Sequence, residues 1–523
     1  MTTTVQPIIR NFADTTVIVS RAQRFYDYPR KIFPVSCTNV SLVDAYFDDD
    51  LDIDGEPIHN FYETIGGSHV YVRKVLKGNA GVVIDLSEIR PKGTEGSNGM
   101  VTAGVANFMA AYSQDNLEIR RGSAFRNGAV VLQLDADHPD LEDFLNMPAK
   151  SIPWAKRGVT VKPGWIEKPY YPLIEDALAK GEIFVYKQKY DANGNPLKIN
   201  VCQGILFLSR STCTLAHINL GKIKTYTELE QAFIKGAWDM DTIWKDFYDA
   251  WRGEMGYEMK RSASHFLNPA RDKQVGLGVL GLANMLGNFE VKYADFAEAL
   301  DVLTKQQEND ADYFHVDDPS AVHLEPKARG LAIAFTQAYR RAADFFRAEG
   351  YLRAFTIEPT ATCAYKQRDF MGYVTSPEIS PPIAHPLTKI GRRQVDEGFT
   401  DFQYPHNIEV AGHNVPWQVY DQLCRAWQRM MNNTGLAHSI SYNWWLSKPV
   451  NRETLEEWDE SELISIYYRW KEKTDDADKT NIGITVDAAS EEFWSLEDGT
   501  EEAWVEPEGV ICQLNSGGCT SCG

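Results

Sequence analysis

Eight cysteines are spread over 523 residues, and four of the contexts in which they stand suit a single chemistry. These are Ser36-Cys37, Asn200-Val201-Cys202, Cys213-Thr214-Leu215-Ala216-His217 and the terminal Cys519-Thr520-Ser521-Cys522. A thiol pair that delivers two electrons to a substrate ends as a disulfide and must be reduced again, and a Cys-x-x-Cys on a tail suits that exchange. The tail pair therefore implies repeated turnover. Zinc is the competing use of this spacing, but only Cys512 accompanies Cys519 and Cys522, and the last histidine is His438. A closed four-ligand site would need a distant residue or a second chain, so no metal is assigned to this chain.

The composition narrows the setting. The cysteines are too few and too scattered for a secreted disulfide scaffold. The start lacks the apolar run of a signal peptide, and no stretch reaches the length of a membrane span. A cytoplasmic location without membrane contact is expected. The formal charge of -20 argues against direct nucleic-acid binding, which needs clustered Lys and Arg. Residues 474–508 hold twelve acidic residues against one lysine, a pattern that suits a solvated tether leading to the terminal cysteines.

The elements that must position these thiols read as alternating helices and strands. Residues 60–76 suit a helix, Gly81-Val82-Val83-Ile84-Asp85-Leu86 a buried strand, 90–99 a loop and 101–112 a helix. A second basic, glycine-containing turn at 120–128 feeds a strand at 129–134. Apolar runs at 199–208 and 352–357, with a helical stretch at 331–349, continue the α/β alternation.

Seven motifs in sequence order carry a resemblance: Gly81-Val-Val-Ile-Asp-Leu-Ser-Glu-Ile-Arg-Pro-Lys-Gly, Gly96-Ser-Asn-Gly-Met, Arg126-Asn-Gly-Ala-Val-Val, His138-Pro-Asp-Leu-Glu-Asp-Phe-Leu, Cys213-Thr-Leu-Ala-His-Ile-Asn-Leu, Gly276-Leu-Gly-Val-Leu-Gly and Pro359-Thr-Ala-Thr. The chain resembles the catalytic subunit of ribonucleotide reductases. The resemblance implies an α/β fold, a ten-stranded barrel of two five-stranded parallel halves with a central finger loop. It divides the chain into a short segment 1–33, a catalytic barrel 34–473 and a flexible acidic tail 474–523. No room is left before Cys37 for the ATP-binding cone of many relatives, so inhibition by dATP through such a domain is not expected.

The resemblance also implies roles. Cys202, on the finger with Asn200, becomes a thiyl radical and abstracts the 3'-hydrogen of the ribonucleotide. Cys37 and Cys213 deliver electrons to the 2'-carbon as water leaves, and Cys519 and Cys522 pass electrons on from thioredoxin or glutaredoxin. The loop Pro359-Thr360-Ala361-Thr362-Cys363 holds the substrate diphosphate through backbone N–H groups and hydroxyls, with Ser36 and Arg126 also reaching the substrate. Asp44 and Arg90 read a dNTP or ATP effector at a homodimer interface.

Tyr467 and Tyr468 resemble the paired tyrosines that carry an electron and a proton from a ferritin-like, metal-containing radical subunit. That points to class I, with no cofactor held covalently here and Mg2+ arriving with the nucleotides. Adenosylcobalamin, as in class II, is the alternative. One departure is chemical: the finger of the family reads Asn-x-Cys-x-Glu, whereas this chain reads Asn200-Val201-Cys202-Gln203-Gly204. The glutamate serves there as general base on the 3'-hydroxyl. Glu358 stands beside the phosphate loop but is not assigned this role from sequence. A non-catalytic nucleotide-binding relative therefore remains a third reading, and restoring Gly204→Glu is expected to raise turnover if the missing carboxylate is a lesion.

Overall fold

A computed structural model describes residues 17–19, 35–47, 56, 58–78, 80–96, 99–120, 129–309, 322–360, 363–364, 367–382, 391–395, 398–402, 404–405, 407–409, 415–445, 448–472 and 484–486. The first half of the fold is a parallel sheet of β1 (Cys37–Ser41), β2 (Gly81–Asp85), β3 (Val130–Asp135), β4 (Lys156–Val161) and β5 (Ile183–Lys187). Helices α1 (Ile65–Lys77), α2 (Ala106–Arg120) and α3 (Tyr171–Lys180) make three of its crossovers. Alternation along the strands sorts their side chains between two faces. Val82, Ile84, Val130, Leu132 and Leu134 join the large core beneath the helices, whereas Val83 and Val131 face a separate, smaller apolar cluster.

That smaller cluster is lined by the finger. Strand β6 (Pro196–Ile199) pairs antiparallel with β7 (Leu206–Phe207), and the turn between them carries Asn200 to Ile205. The chain then runs through β8 (Thr212–Cys213), antiparallel to β1, and with only Thr214 between them enters β9 (Leu215–Asn219). Strand β9 opens the second sheet, in which β10 (Gln274–Leu280), β11 (Arg353–Ile357) and β12 (Ala437–Ile440) follow in parallel. Helices α4 (Tyr226–Arg252), α5 (Tyr293–Asn309), α6 (Pro326–Ala348) and α7 (Trp417–Asn432) cover it. Among the described residues this half has four parallel strands, and its fifth member, Val17–Val19, pairs antiparallel with β9. Among the described residues, one sheet thus shows the five parallel strands expected and the other shows four.

The two sheets meet along both edges. At one, the chain itself crosses from β8 to β9. At the other, β13 (Ser465–Ile466) pairs antiparallel with β5, while the Ser465 hydroxyl donates to the Ile440 carbonyl of β12 at 3.1 Å. Two glycines make room for the finger between the sheets. A Cβ at Gly81 would lie 3.0 Å from Val201, and one at Gly276 would lie 2.7 Å from Ile205. No helix among the described residues is long and apolar enough to cross a membrane.

Candidate active site

Asn200 organises the finger through its own side chain. Its Oδ1 accepts from the backbone N–H groups of Gly204 at 2.8 Å and Ile205 at 3.0 Å, while its carbonyl accepts from the N–H of Gln203 at 2.9 Å. Gln203 adopts φ 62°, the left-handed region that a side chain rarely enters, and so closes the turn tightly. The far wall holds the turn in place: the Gly204 carbonyl accepts from the Thr356 hydroxyl and from the Ser439 N–H, both at 2.9 Å. Gln203 is anchored through its carbonyl to the Ser465 hydroxyl at 2.9 Å. His438, neutral because burial drives its pKa well down, accepts from the Leu206 N–H at 3.1 Å through Nδ1.

The turn presents Cys202 to Cys37 and Cys213. These last two are opposed residues of the β1–β8 pairing. Opposed residues of an antiparallel pair stand about 4.5 to 5.5 Å apart at Cα, inside the roughly 4.4 to 6.8 Å window of a disulfide. No disulfide joins Cys37, Cys202 or Cys213 here. Cys202 and Tyr467 pack against the apolar cluster of Cys37, Val83, Val131, Phe184, Val201, Ile205, Phe207, Cys213 and Leu215. Burial, then the neighbouring Glu358 and Cys202, push the Cys213 thiol well up. At Cys37 a hydrogen bond from the Cys202 thiol favours the thiolate, yet burial with Cys213 and Glu358 raises it on balance. The resting thiols of Cys37 and Cys213 thus keep their protons.

One carboxyl shares this pocket. Glu358 follows the last residue of β11 and is 1% exposed. Its Oε1 accepts from Asn200 Nδ2 at 2.6 Å, and its Oε2 from the Ser441 hydroxyl at 3.2 Å. The same hydroxyl reaches the Cys202 carbonyl. Burial, then the neighbouring Cys202, raise Glu358 well above the usual carboxyl range, as does its hydrogen bond with the Cys202 sulfur; the bonds from Asn200 and Ser441 oppose that shift. Sequence reading left Glu358 unassigned and missed Ser441. The available signal was an acid directly after the apolar run Ala354-Phe355-Thr356-Ile357, where burial of a charge is costly unless it is used.

The other candidates divide by position. Tyr467 lies half-buried beside the thiol cluster, its ring centroid 5.2 Å from that of Phe184 and its N–H donating to the Tyr442 carbonyl at 2.7 Å. Tyr468 opens a strand, Tyr468–Glu472, and pairs with Asn443; its side chain lies outside the described residues. Ser36 donates its N–H to the Cys213 carbonyl at 3.2 Å. Thr360 is buried, and its hydroxyl accepts from the Glu378 N–H at 2.7 Å. Pro359 is exposed, and Cys363 packs with Leu280 and Ala364. Asp44 and Arg90 form an ion pair with each other. Ala361, Thr362, Arg126, Cys519 and Cys522 lie outside the described residues.

Comparison with known proteins agrees with this architecture. Residues 51–158 match the family described as "Ribonucleotide reductase, barrel domain". Over 118 residues, 23% of the chain, it is 31% identical to the vitamin B12-dependent ribonucleotide reductase of Streptomyces coelicolor, covering 12% of that protein's length. The corresponding Streptomyces clavuligerus protein is 30% identical over the same share. In fold the chain is similar to the class Id ribonucleotide reductase alpha subunit of Actinobacillus ureae, with a TM-score of 0.58 at 16% identity, covering 87% of each chain. Residues 51–158 are thus similar in sequence to that barrel domain, and the chain shares the fold of such a subunit across most of its length.

Proposed function

We propose that the chain is the catalytic subunit of a ribonucleotide reductase that reduces ribonucleoside diphosphates. The observation that carries this reading is the convergence of Cys37, Cys202 and Cys213 in one apolar pocket, with Cys37 directly opposite Cys213. A radical on the Cys202 sulfur takes the hydrogen from the 3'-carbon. The 2'-hydroxyl then leaves as water, taking one proton from the reducing pair. Cys37 and Cys213 together give two electrons and two protons and close a disulfide, and Cys202 returns its hydrogen to the 3'-carbon. A dry, apolar surround protects the sulfur radical from quenching. Electrons for the next cycle come through Cys519 and Cys522 from thioredoxin or glutaredoxin.

For the radical source we favour a separate ferritin-like, metal-containing subunit, with Tyr467 and Tyr468 as the route inward. The position of Tyr467 against the thiol cluster supports it, as does the likeness in fold to a class Id alpha subunit. A second reading, activation by adenosylcobalamin, is favoured by the sequence match to B12-dependent relatives. Effector control through Asp44 and Arg90 in a homodimer completes the proposal. An effector coupling of about 1 to 3 kcal/mol is enough to change substrate preference. The test supplies the chain with a candidate radical subunit or with adenosylcobalamin in separate reactions and measures deoxynucleotide formation. Product with the subunit alone supports the first reading, product with adenosylcobalamin alone the second, and nucleotide binding without product in either supports a non-catalytic relative.

A further inference from the structure

We infer that Glu358 is the general base for the 3'-hydroxyl, supplied from the end of β11 across the barrel in place of the carboxylate that the finger lacks at Gly204. The inference rests on the reductase reading. A Cβ built on Gly204 would lie 2.5 Å from Glu358 Cδ, 2.6 Å from Oε1 and 2.9 Å from Oε2. The Glu358 carboxyl therefore fills the space into which a side chain at 204 would project. Loss of the side chain at 204 and arrival of an acid at 358 are one arrangement, because either residue type excludes its counterpart's alternative.

The surroundings are built for that acid. Asn200, whose Oδ1 already fixes the finger backbone, turns its Nδ2 to Glu358 Oε1, so one side chain sets both the radical-bearing turn and the carboxyl. Ser441 links Oε2 to the Cys202 carbonyl in the same way. The titratable groups facing Glu358 are Cys202 from the finger, Cys37 from β1 and Cys213 from β8. A carboxyl held next to the Cys202 sulfur sits where the hydroxyl on the attacked carbon must come. Burial raises its proton affinity and so strengthens the ionised form as a base. In the step, which starts from the ionised carboxylate, the 3'-oxygen–hydrogen bond breaks, the proton passes to Glu358 and the electron pair stays on oxygen as the 3'-carbonyl forms. The 2'-hydroxyl leaves as water with a proton from the reducing thiols, and Glu358 returns its proton when the 3'-hydroxyl is rebuilt.

The test compares the full-length wild type, Glu358→Gln and the exchange variant Gly204→Glu/Glu358→Ala. Glu358→Gln keeps the shape and can still accept from Asn200, yet takes no proton, so reduction falls by about a hundredfold to ten-thousandfold. The exchange variant regains at least about a tenth of that loss, because its carboxylate returns to the same space from the finger. The wild-type rate rises with pH through the elevated Glu358 pKa, and Glu358→Gln loses that limb. A Glu358→Gln enzyme with the wild-type rate and pH limb overturns the inference and leaves the reductase reading standing. Infrared difference spectra decide independently of turnover. Adding a ribonucleoside diphosphate to wild type shifts the protonated carboxyl band absent from Glu358→Gln, and the 3'-deoxy analogue does not. Equal shifts with both nucleotides overturn the assignment even where no reduction is detected, and a chain that binds no ribonucleotide overturns both readings.

Discussion

Replacing Gly204 by alanine adds one methyl group directly against the Glu358 carboxyl. The new Cβ would stand 2.5 Å from Glu358 Cδ, whereas carbon atoms pack at about 3.5 to 4.0 Å. The carboxyl must then retreat by about 1 Å. Its bonds from Asn200 at 2.6 Å and Ser441 at 3.2 Å cannot both survive such a move. A hydrogen bond to a neutral carboxyl contributes about 0.5 to 1.5 kcal/mol, so losing one or both removes about 0.5 to 3 kcal/mol of positioning energy. A displacement of about 1 Å at a reacting group costs about a hundredfold in rate. Gly204→Ala is therefore expected to fold, to bind nucleotide, and to reduce it about a hundredfold more slowly, measured as steady-state deoxynucleotide formation beside a urea unfolding curve. Gly204→Glu alone is expected to do no better, since a second carboxyl meets the first; this reverses the expectation drawn from sequence that the substitution would raise turnover. An unchanged rate in Gly204→Ala, with Glu358 unmoved in a crystal structure of the variant, would refute the reasoning.

Cys202→Ala is expected to abolish reduction and leave nucleotide affinity intact, as calorimetry beside a product assay would show; multiple turnovers in this variant sink the radical assignment. Tyr467→Phe should stop turnover driven by a radical subunit without weakening subunit assembly, while turnover driven by adenosylcobalamin would persist if that were the true source. Stability should fall as pH drops. His265 is buried with its Nδ1 unpartnered, and burial, then Lys74 and Arg210, hold its pKa down to about 3. The unfolded chain binds the proton from about pH 6.5 downward, so stability is complete above that pH and is lost between about 6.5 and 3, by up to about 5 kcal/mol. His265→Phe, packed against Phe266 and Tyr71, should flatten this slope of urea midpoint against pH.

Much of the scaffold was legible because local pattern and burial agree. The apolar run Gly81 to Leu86 is β2 as far as Asp85, and the stretch expected as a helix over 331–349 falls in Pro326–Ala348 but for Glu349, its C-cap. The helix expected over 101–112 begins later, at Ala106, because Glu95 and Val101 form a β-bridge that holds the preceding chain extended. The antiparallel Val17–Val19 strand gave no signal, since an edge strand of three residues is too short for periodicity to register. Within the site, Cys37 and Cys213 could be named but not brought together, because a pairing across 176 residues exists only in the fold. Glu358 escaped for the same reason. Its counterpart at Gly204 is 154 residues away in sequence and within contact in space.

The most direct measurement is a single turnover with the radical source present and no external reductant, followed by trapping of free thiols and peptide mapping. One deoxynucleotide is expected for each new disulfide, and that disulfide joins Cys37 to Cys213. Product formed while both thiols remain free, or a disulfide that excludes either of them, would contradict the assignment of this pocket as the site of reduction.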